Sequence, residues 1–126
     1  MKLNQDCIRD LLLYLEENLS LERNITVNNI KIKDYSQEDL IYTTQKLFEA
    51  GYLNCEIINF ITSSIPFIDV SSLTYNGHQF LDTIRDNKVW SKTKGILSSF
   101  KSVSIEILSE TASKVLVSLI NQQLNV

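Results

Sequence analysis

Hydrophobic residues recur every three or four positions near the start of the chain and again in its second quarter. The first pattern predicts an amphipathic helix from Asn4 to Leu19, since positions with this spacing share one helical face, and either Asn4 or Asp6 can cap it. The second predicts a helix that begins at Ser36, whose hydroxyl can accept a free backbone N–H, and ends at Gly51. The positions expected to be buried on these two helices are Ile8, Leu11, Leu12, Leu15, Leu19, Leu40, Ile41, Thr44, Leu47 and Phe48.

Three shorter stretches are rich in the β-branched and other apolar residues that favour strands. The alternation from Ile25 to Lys33 predicts a short strand. Glu56 to Thr62 and Phe67 to Leu73 predict a hairpin, because the turn-prone residues Ser63 to Pro66 separate them. The alternation leaves open whether the first strand pairs with this hairpin.

Three more helices are predicted after the hairpin. Thr74 can cap a helix that runs to about Arg85, a second runs from Asn87 to Lys101, and a third from Val103 to about Leu124. The apolar arc of the helix from Asn87 is expected to contain Val89, Trp90, Thr93, Ile96, Leu97 and Phe100.

The order of these elements predicts an α+β protein. With 126 residues, 44% of them hydrophobic, the chain has the size of a single domain. The helix ending in Leu-Phe-Glu-Ala-Gly-Tyr-Leu, the hairpin, and the run Leu-Thr-Tyr-Asn-Gly-His-Gln-Phe-Leu-Asp together resemble a winged helix-turn-helix domain. We therefore place a winged-helix-like core at residues 1–86 and a C-terminal extension of two helices at residues 87–126.

A closer resemblance comes from five short features in a fixed order. These are the opening run Asp-Cys-Ile-Arg-Asp-Leu-Leu-Leu, the helix start at Tyr35 and Ser36, the stop from Glu49 to Gly51, the run from Gly77 to Asp82, and the step from Arg85 to Trp90. Over residues 1 to 101 the chain resembles an uncharacterised bacterial and phage-associated family, domain of unknown function 2513. The resemblance implies a fold and a bacterial or phage setting, and it brings no catalytic residues.

Charge limits where nucleic acid could bind. Twelve Lys and Arg against fifteen Asp and Glu give a net charge of −3, so any nucleic-acid site must be local. The helix from Ser36 offers base-reading donors, but Glu38, Asp39 and Glu49 outnumber its one lysine. The helix from Asn87 has a small cluster of lysines that is a second candidate for contact with nucleic acid. The alternative is that these lysines are solvated and only flank the buried arc of the helix. The candidate contacts with nucleic acid or a partner are Gln37, Tyr42, Thr43, Gln45, Lys46, Lys88, Lys92 and Lys94.

One feature of the sequence argues against DNA reading. Residues 21–35, where the first helix of a helix-turn-helix pair should lie, have the pattern of a strand and a loop.

The last helix carries an apolar stripe that needs a partner. The stripe either forms a homodimer or partner interface or packs back on the domain. Its residues are Ile105, Leu108, Ala112, Val115 and Leu119, and Leu116 and Ile120 widen it.

The residues that carry enzymatic or metal chemistry are sparse. Cys7 and Cys55 are far apart without a CxxC pattern, which predicts buried free thiols. Asp82 lies one helical turn from His78, so a hydrogen bond between them is expected, and the histidine itself is interpreted as a structural residue that ties its helix to the hairpin. Neither a phosphate-binding nor a nucleophile-elbow motif is present, so we expect a non-enzymatic protein without cofactor or metal. Without a leader or a spanning segment, a cytoplasmic location is expected.

Two functions follow from these observations. The first is a winged-helix-like regulatory or interaction module, with DNA contact left open and disfavoured by the acidic charge. The alternative is a protein-protein adaptor or oligomerisation module that does not bind nucleic acid.

Overall fold

Residues 1–125, which the computed structural model describes, form five α-helices, a three-residue 3-10 helix and one three-stranded antiparallel sheet. The α+β class is therefore confirmed. The chain divides into two compact units, Met1–His78 and the part from Gln79 onward. The elements in chain order are α1 (Gln5–Asn18), β1 (Ile25–Thr26), the 3-10 helix (Val27–Asn29), α2 (Gln37–Glu49), β2 (Leu53–Ile58), β3 (Phe67–Leu73), α3 (Tyr75–Ile84), α4 (Asn87–Leu97) and α5 (Ile105–Leu124).

The sheet has the strand order β1-β3-β2, so β3 lies at its centre. Ile25 is opposite Val70, which answers the question left open by the sequence, since the first strand does pair with the hairpin. Ile57 is opposite Ile68, and Ile68 is fully buried. α1 contacts α2 and β3, and the residues between these elements form the core of the N-terminal unit.

β1 is much shorter than the strand predicted from Ile25 to Lys33, because it ends at Thr26. The side chain of Asn28 takes the place of further strand pairing. Its Nδ2 donates to the Pro66 carbonyl at 2.9 Å, and its Oδ1 accepts the Ile68 N–H at 2.9 Å. A side chain that satisfies both backbone groups removes the need for a longer ladder.

The first two helices begin close to the residues at which the sequence predicts them to begin. Asn4 caps α1 by accepting the Cys7 N–H at 3.1 Å. Ser36 and Asp39 form a reciprocal capping box at the start of α2, in which each side chain accepts the other residue's backbone N–H. Between these helices the Tyr35 hydroxyl donates to Asp10 Oδ2 at 2.7 Å, which ties the loop before α2 to α1.

A tight junction joins the end of α2, both ends of the hairpin and the start of α3. Gly51 has a positive φ of 84°, as the stop predicted there requires. Thr74 donates its hydroxyl to the Gly51 carbonyl at 2.6 Å and its N–H to the Tyr52 carbonyl at 3.0 Å. Its hydroxyl also accepts the Gly77 N–H at 3.0 Å and so caps α3. A Cβ on Gly77 would lie only 2.1 Å from the Tyr52 carbonyl oxygen, so this close approach requires glycine.

The hairpin strands and the loop between them differ in extent from the prediction. β2 begins at Leu53, directly after the junction, and ends at Ile58 rather than Thr62. The connecting loop therefore spans residues 59–66. Ser63 stabilises the loop by accepting the Ile65 N–H at 3.2 Å.

In the C-terminal unit, α4 ends four residues earlier than predicted, at Leu97. Ser98 and Ser99 donate their hydroxyls to carbonyls of the last turn, at 2.7 Å and 3.3 Å. These local bonds compete with continued helix. Ile96 and Phe100, both expected in the buried arc, are exposed, whereas Trp90 is buried. Phe48, expected to be buried on α2, is also exposed.

Candidate functional site

The polar face of α2 is less available than its sequence suggests. Gln37 donates its side-chain amide to the Asn28 carbonyl, so it holds the loop before the helix. Thr43 was predicted to contact nucleic acid or a partner, but its side chain is buried. Its hydroxyl donates to Cys7 Sγ at 3.4 Å. Its burial between α1 and α2 prevents contact with any partner.

The remaining candidates on α2 form a small cluster. Lys46 Nζ lies 3.0 Å from Glu49 Oε2 and 5.4 Å from the centre of the Tyr42 ring. The hydrogen bond to Glu49 raises the pKa of Lys46 above its ordinary value. Gln45 is partly exposed beside them. Because Glu49 offsets the charge of Lys46, this face has little positive potential with which to attract phosphates.

The predicted lysine contacts belong to the other unit. Lys88 and Lys92 are exposed on α4, and Lys94 Nζ lies 5.8 Å from the centre of the Trp90 ring. The α2 candidates and the α4 candidates therefore lie in separate compact units.

The predicted oligomer stripe on α5 is largely turned inward. Leu108 is 1% exposed, Ala112 is 0% and Val115 is 8% exposed. α5 contacts α4, and these three side chains are already covered within the chain. Ile105 and Leu119 are only partly covered. For Leu108, Ala112 and Val115 the structure therefore has the alternative that the sequence left open, in which the stripe packs back within the chain.

The candidate residues for chemistry make different contacts from those expected. Asp82 accepts a hydrogen bond from Arg85 at 3.0 Å, rather than from His78 as expected. The Nδ1 atom of His78 instead lies 3.9 Å from Glu16 Oε2, so the histidine faces α1 and not the hairpin. Among residues 1–125, no three His, Cys, Asp or Glu side chains are grouped in a way that could hold a metal ion.

Both thiols are free, and their surroundings reduce their reactivity. Burial raises the pKa of the Cys7 thiol, and the hydrogen bond from Thr43 opposes this in part. Burial alone raises the pKa of Cys55 to about 11. A thiol that stays protonated at neutral pH is a weak nucleophile. Burial and the hydrogen bond to Asp10 likewise raise the pKa of Tyr35.

The most exposed apolar surface of the N-terminal unit lies at the end of the hairpin. We call it the hairpin tip and define it by Ile58, Phe60, Ile61 and Ile65, which are 40%, 51%, 105% and 42% exposed. The sequence reasoning missed this surface because Ile and Phe are equally typical of buried strands. One signal was available, since the run from Ile57 to Ile68 contains no charged residue.

An acidic patch adjoins the hairpin tip on the outer face of the sheet. Glu56 is directly opposite Asp69 across the β2–β3 pair, and like charges opposite each other are unfavourable. Asp69 accepts hydrogen bonds from Asn24 at 2.9 Å and from Thr26 at 3.4 Å. Glu56 is exposed to solvent. The outer face thus combines a negative patch with the apolar tip.

The described residues define an α+β protein with a three-stranded sheet, capped helices and an apolar hairpin tip. The model of the family described as "Hypothetical protein (DUF2513)" matches residues 2–104, and the chain belongs to this family. The family membership expected from the sequence is thereby confirmed.

An uncharacterized protein of Haemophilus influenzae is similar along nearly its whole length. It is 28% identical over 124 residues, which cover 98% of this chain and 99% of the relative. Neither description names an activity, a ligand or a phage. No solved structure matches the chain. In the part of the chain that is described, none of the helices has the length and hydrophobicity needed to span a bilayer.

Proposed function

We propose that this protein is a non-enzymatic interaction module with a winged-helix-like N-terminal unit, and that it binds a partner protein through the hairpin tip. The observation that carries this proposal is the exposure of four large apolar side chains on one uncharged stretch, which includes the end of β2 and the loop after it. Grouped apolar side chains in water are unfavourable, and such patches mark surfaces that another molecule covers.

The winged-helix-like description is supported by the order of elements. α2 is followed directly by the hairpin and then by α3, and β1 adds a third strand to the hairpin. One part of a DNA-reading helix-turn-helix is missing from the described chain: between Asn18 and Gln37 there is only a two-residue strand and a 3-10 helix, and no α-helix. This departure favours the adaptor over the DNA-binding regulator.

The distribution of charge argues in the same direction. Between Lys46 and Arg85 the sequence contains no lysine or arginine, while four acids lie in this stretch. A wing that contacts DNA needs cations to neutralise phosphates, because that electrostatic interaction supplies most of the non-specific affinity. The acidic patch beside the hairpin tip would instead be repelled by DNA and by an anionic membrane surface.

The partner's chemistry follows from the same residues. Phe60 and Ile61 require an apolar pocket, because aromatic and aliphatic anchors in desolvated pockets dominate binding energy. Glu56, exposed beside the tip, requires a basic side chain at the rim of that pocket. The partner is therefore a protein with an apolar pocket that has Lys or Arg at its edge.

Site-specific photo-crosslinking in bacterial cells tests this proposal. A benzophenone amino acid is placed at Ile61, which is 105% exposed, or at the matched control Leu21, which is 108% exposed in the Ser20–Arg23 turn. We expect a discrete adduct from position 61 that is absent from position 21. Glu56→Lys should abolish the adduct, whereas Glu22→Lys, an exposed charge reversal beside the control position, should leave it unchanged.

Three results would contradict the proposal. The first is an identical adduct pattern from both positions, and the second is an adduct that is insensitive to Glu56→Lys. The third is salt-dependent binding to mixed genomic DNA that Lys88→Glu, Lys92→Glu and Lys94→Glu weaken, which would support the DNA-binding regulator instead.

A further inference from the structure

The helices α4 and α5 differ greatly in length. α4 has 11 residues and α5 has 20, so at 1.5 Å per residue they span about 16 Å and about 30 Å. The buried residues of α5, Leu108, Ala112 and Val115, all lie within its first eleven residues. None of the described residues from 116 to 125 is buried. The second half of α5 therefore extends without a covering element in its own unit.

This second half has an apolar face. Val117, Ile120 and Leu124 are 54%, 47% and 65% exposed, and Leu116 and Leu119 are partly exposed. Leu116, Ile120 and Leu124 follow one another at intervals of four, so they form a ridge along one side of the helix. Three of these residues line an open groove of about 540 Å³ beside the start of α4: Leu116, Leu119 and Ile120.

The polar residues around this face indicate what covers it. Residues 115–125 contain no charged side chain, and the groove adds Asp86 and Lys88, one charge of each sign, so this face has no net charge although the whole chain has a net charge of −3. A neutral surface offers no charge by which to select a charged partner, and it avoids the repulsion that two copies of an acidic chain would otherwise have. Ser118, Asn121, Gln122 and Gln123 each donate and accept hydrogen bonds, so each can pair with its own counterpart across a two-fold axis.

We propose that the protein forms a homodimer in which the exposed second half of α5 packs antiparallel against the same face of a second copy, with Ile120 at the two-fold axis. In this arrangement Leu116 of one copy contacts Leu124 of the other. The surface shares Leu119 with the stripe suggested by the sequence but leaves out Leu108, Ala112 and Val115, which are buried within the chain. With a few side chains from each copy the interface is smaller than a standard one of about 800 Å² per partner, so the dimer dissociates on dilution.

Sedimentation equilibrium of the full chain from about 1 µM to about 500 µM tests the proposal; this range brackets the affinities of small interfaces. We expect the mass to rise from that of a monomer, 14.5 kDa, to twice that value. Ile120→Asp should keep the protein monomeric at the highest concentration, since it places two unpaired charges at the axis. The matched control is Ile107→Asp, because Ile107 is 44% exposed on the same helix but on a different face, and it should dimerise like the parent.

Mixing provides a second test of the geometry. Ile120→Asp and Ile120→Lys should each be monomeric alone but associate when mixed, because the axis would then bring opposite charges together. Circular dichroism of each variant confirms that α5 remains helical. A parent protein that is monomeric at every concentration would overturn the proposal. A mixture that fails to associate, or an equal loss of dimer with Ile107→Asp, would overturn it as well.

Discussion

The two units of this chain differ in what orders them. In the N-terminal unit, side chains join segments that are far apart in the sequence, as Asn28 does with Pro66 and Ile68 and Tyr35 does with Asp10. Each bond satisfies a defined donor and acceptor, and so it fixes one relative position of the segments.

In the C-terminal unit, the capping bonds are local and apolar burial is prominent. Asp86 accepts the N–H groups of Lys88 and Val89, and Ser104 accepts that of Ile107, all within three residues. α4 and α5 contact each other, and each has a buried apolar stripe. Apolar contacts are non-directional, so such a stripe accepts different partners more readily than a hydrogen-bonded loop does. The comparison therefore sets the long-range polar bonds of the N-terminal unit against the buried apolar stripes of α4 and α5.

The largest expected effect comes from removing apolar volume in the C-terminal unit. Leu108→Ala should lower the free energy of unfolding by about 4 kcal/mol, because it removes a fully covered side chain and leaves a cavity. Urea unfolding followed by the fluorescence of Trp90, the single tryptophan, measures the loss in this unit. The neighbouring Ile107→Ala, at a position 44% exposed, should cost less than about 1 kcal/mol. Equal losses from the two variants would show that burial does not order this unit.

The next effect tests the junction of the N-terminal unit with a single methyl group. Gly77→Ala should lower the free energy of unfolding by about 3 kcal/mol, since the new Cβ would lie 2.1 Å from the Tyr52 carbonyl oxygen and force the backbone to move. Gly95→Ala is the matched control within α4, where nothing lies within 4 Å of the new Cβ. It should raise stability by about 1 kcal/mol through helix propensity. Urea unfolding followed by circular dichroism compares them, and shifts of the same sign would contradict the prediction.

A smaller effect tests the polar cross-link itself. Asn28→Ala should lower the free energy of unfolding by about 2 kcal/mol, because it leaves the Ile68 N–H and the Pro66 carbonyl without their partner. Hydrogen exchange should report the same loss as faster exchange of the Ile68 amide. Asn29→Ala, an exposed neighbour, should change neither measurement. Unchanged exchange at Ile68 would mean that the bond does not order the loop.

The features that the sequence predicted correctly are those determined by neighbouring residues. Asn4, Ser36 and Thr74 cap the helices that follow them, and each bond spans three residues. The stop at Gly51 is equally local, because its positive φ depends on the residue itself. Such signals can be read along the chain without knowledge of the tertiary structure.

The features that were missed depend on contacts between distant residues. Nothing near Asn28 in the sequence indicates that its side chain bonds to residues 66 and 68 and so shortens the strand. The pattern of α5 identified Leu108 as part of an apolar face. It could not show whether that face is buried against the same chain or against a second copy. For the same reason Ile61 was predicted to lie in a strand, although it is fully exposed in the hairpin loop.

The junction around Thr74 separates the hairpin's length from the position of the helices. Leu53 pairs with Leu73 at the base, and Thr74 bonds to both Gly51 and Tyr52, so the two ends of the hairpin meet at one fixed point. Residues 59–65 can therefore lengthen, shorten or change composition while the entry into α3 stays where it is. The sequence of the hairpin tip can therefore change, and with it the preferred partner, while the positions of the helices and the base of the hairpin stay the same.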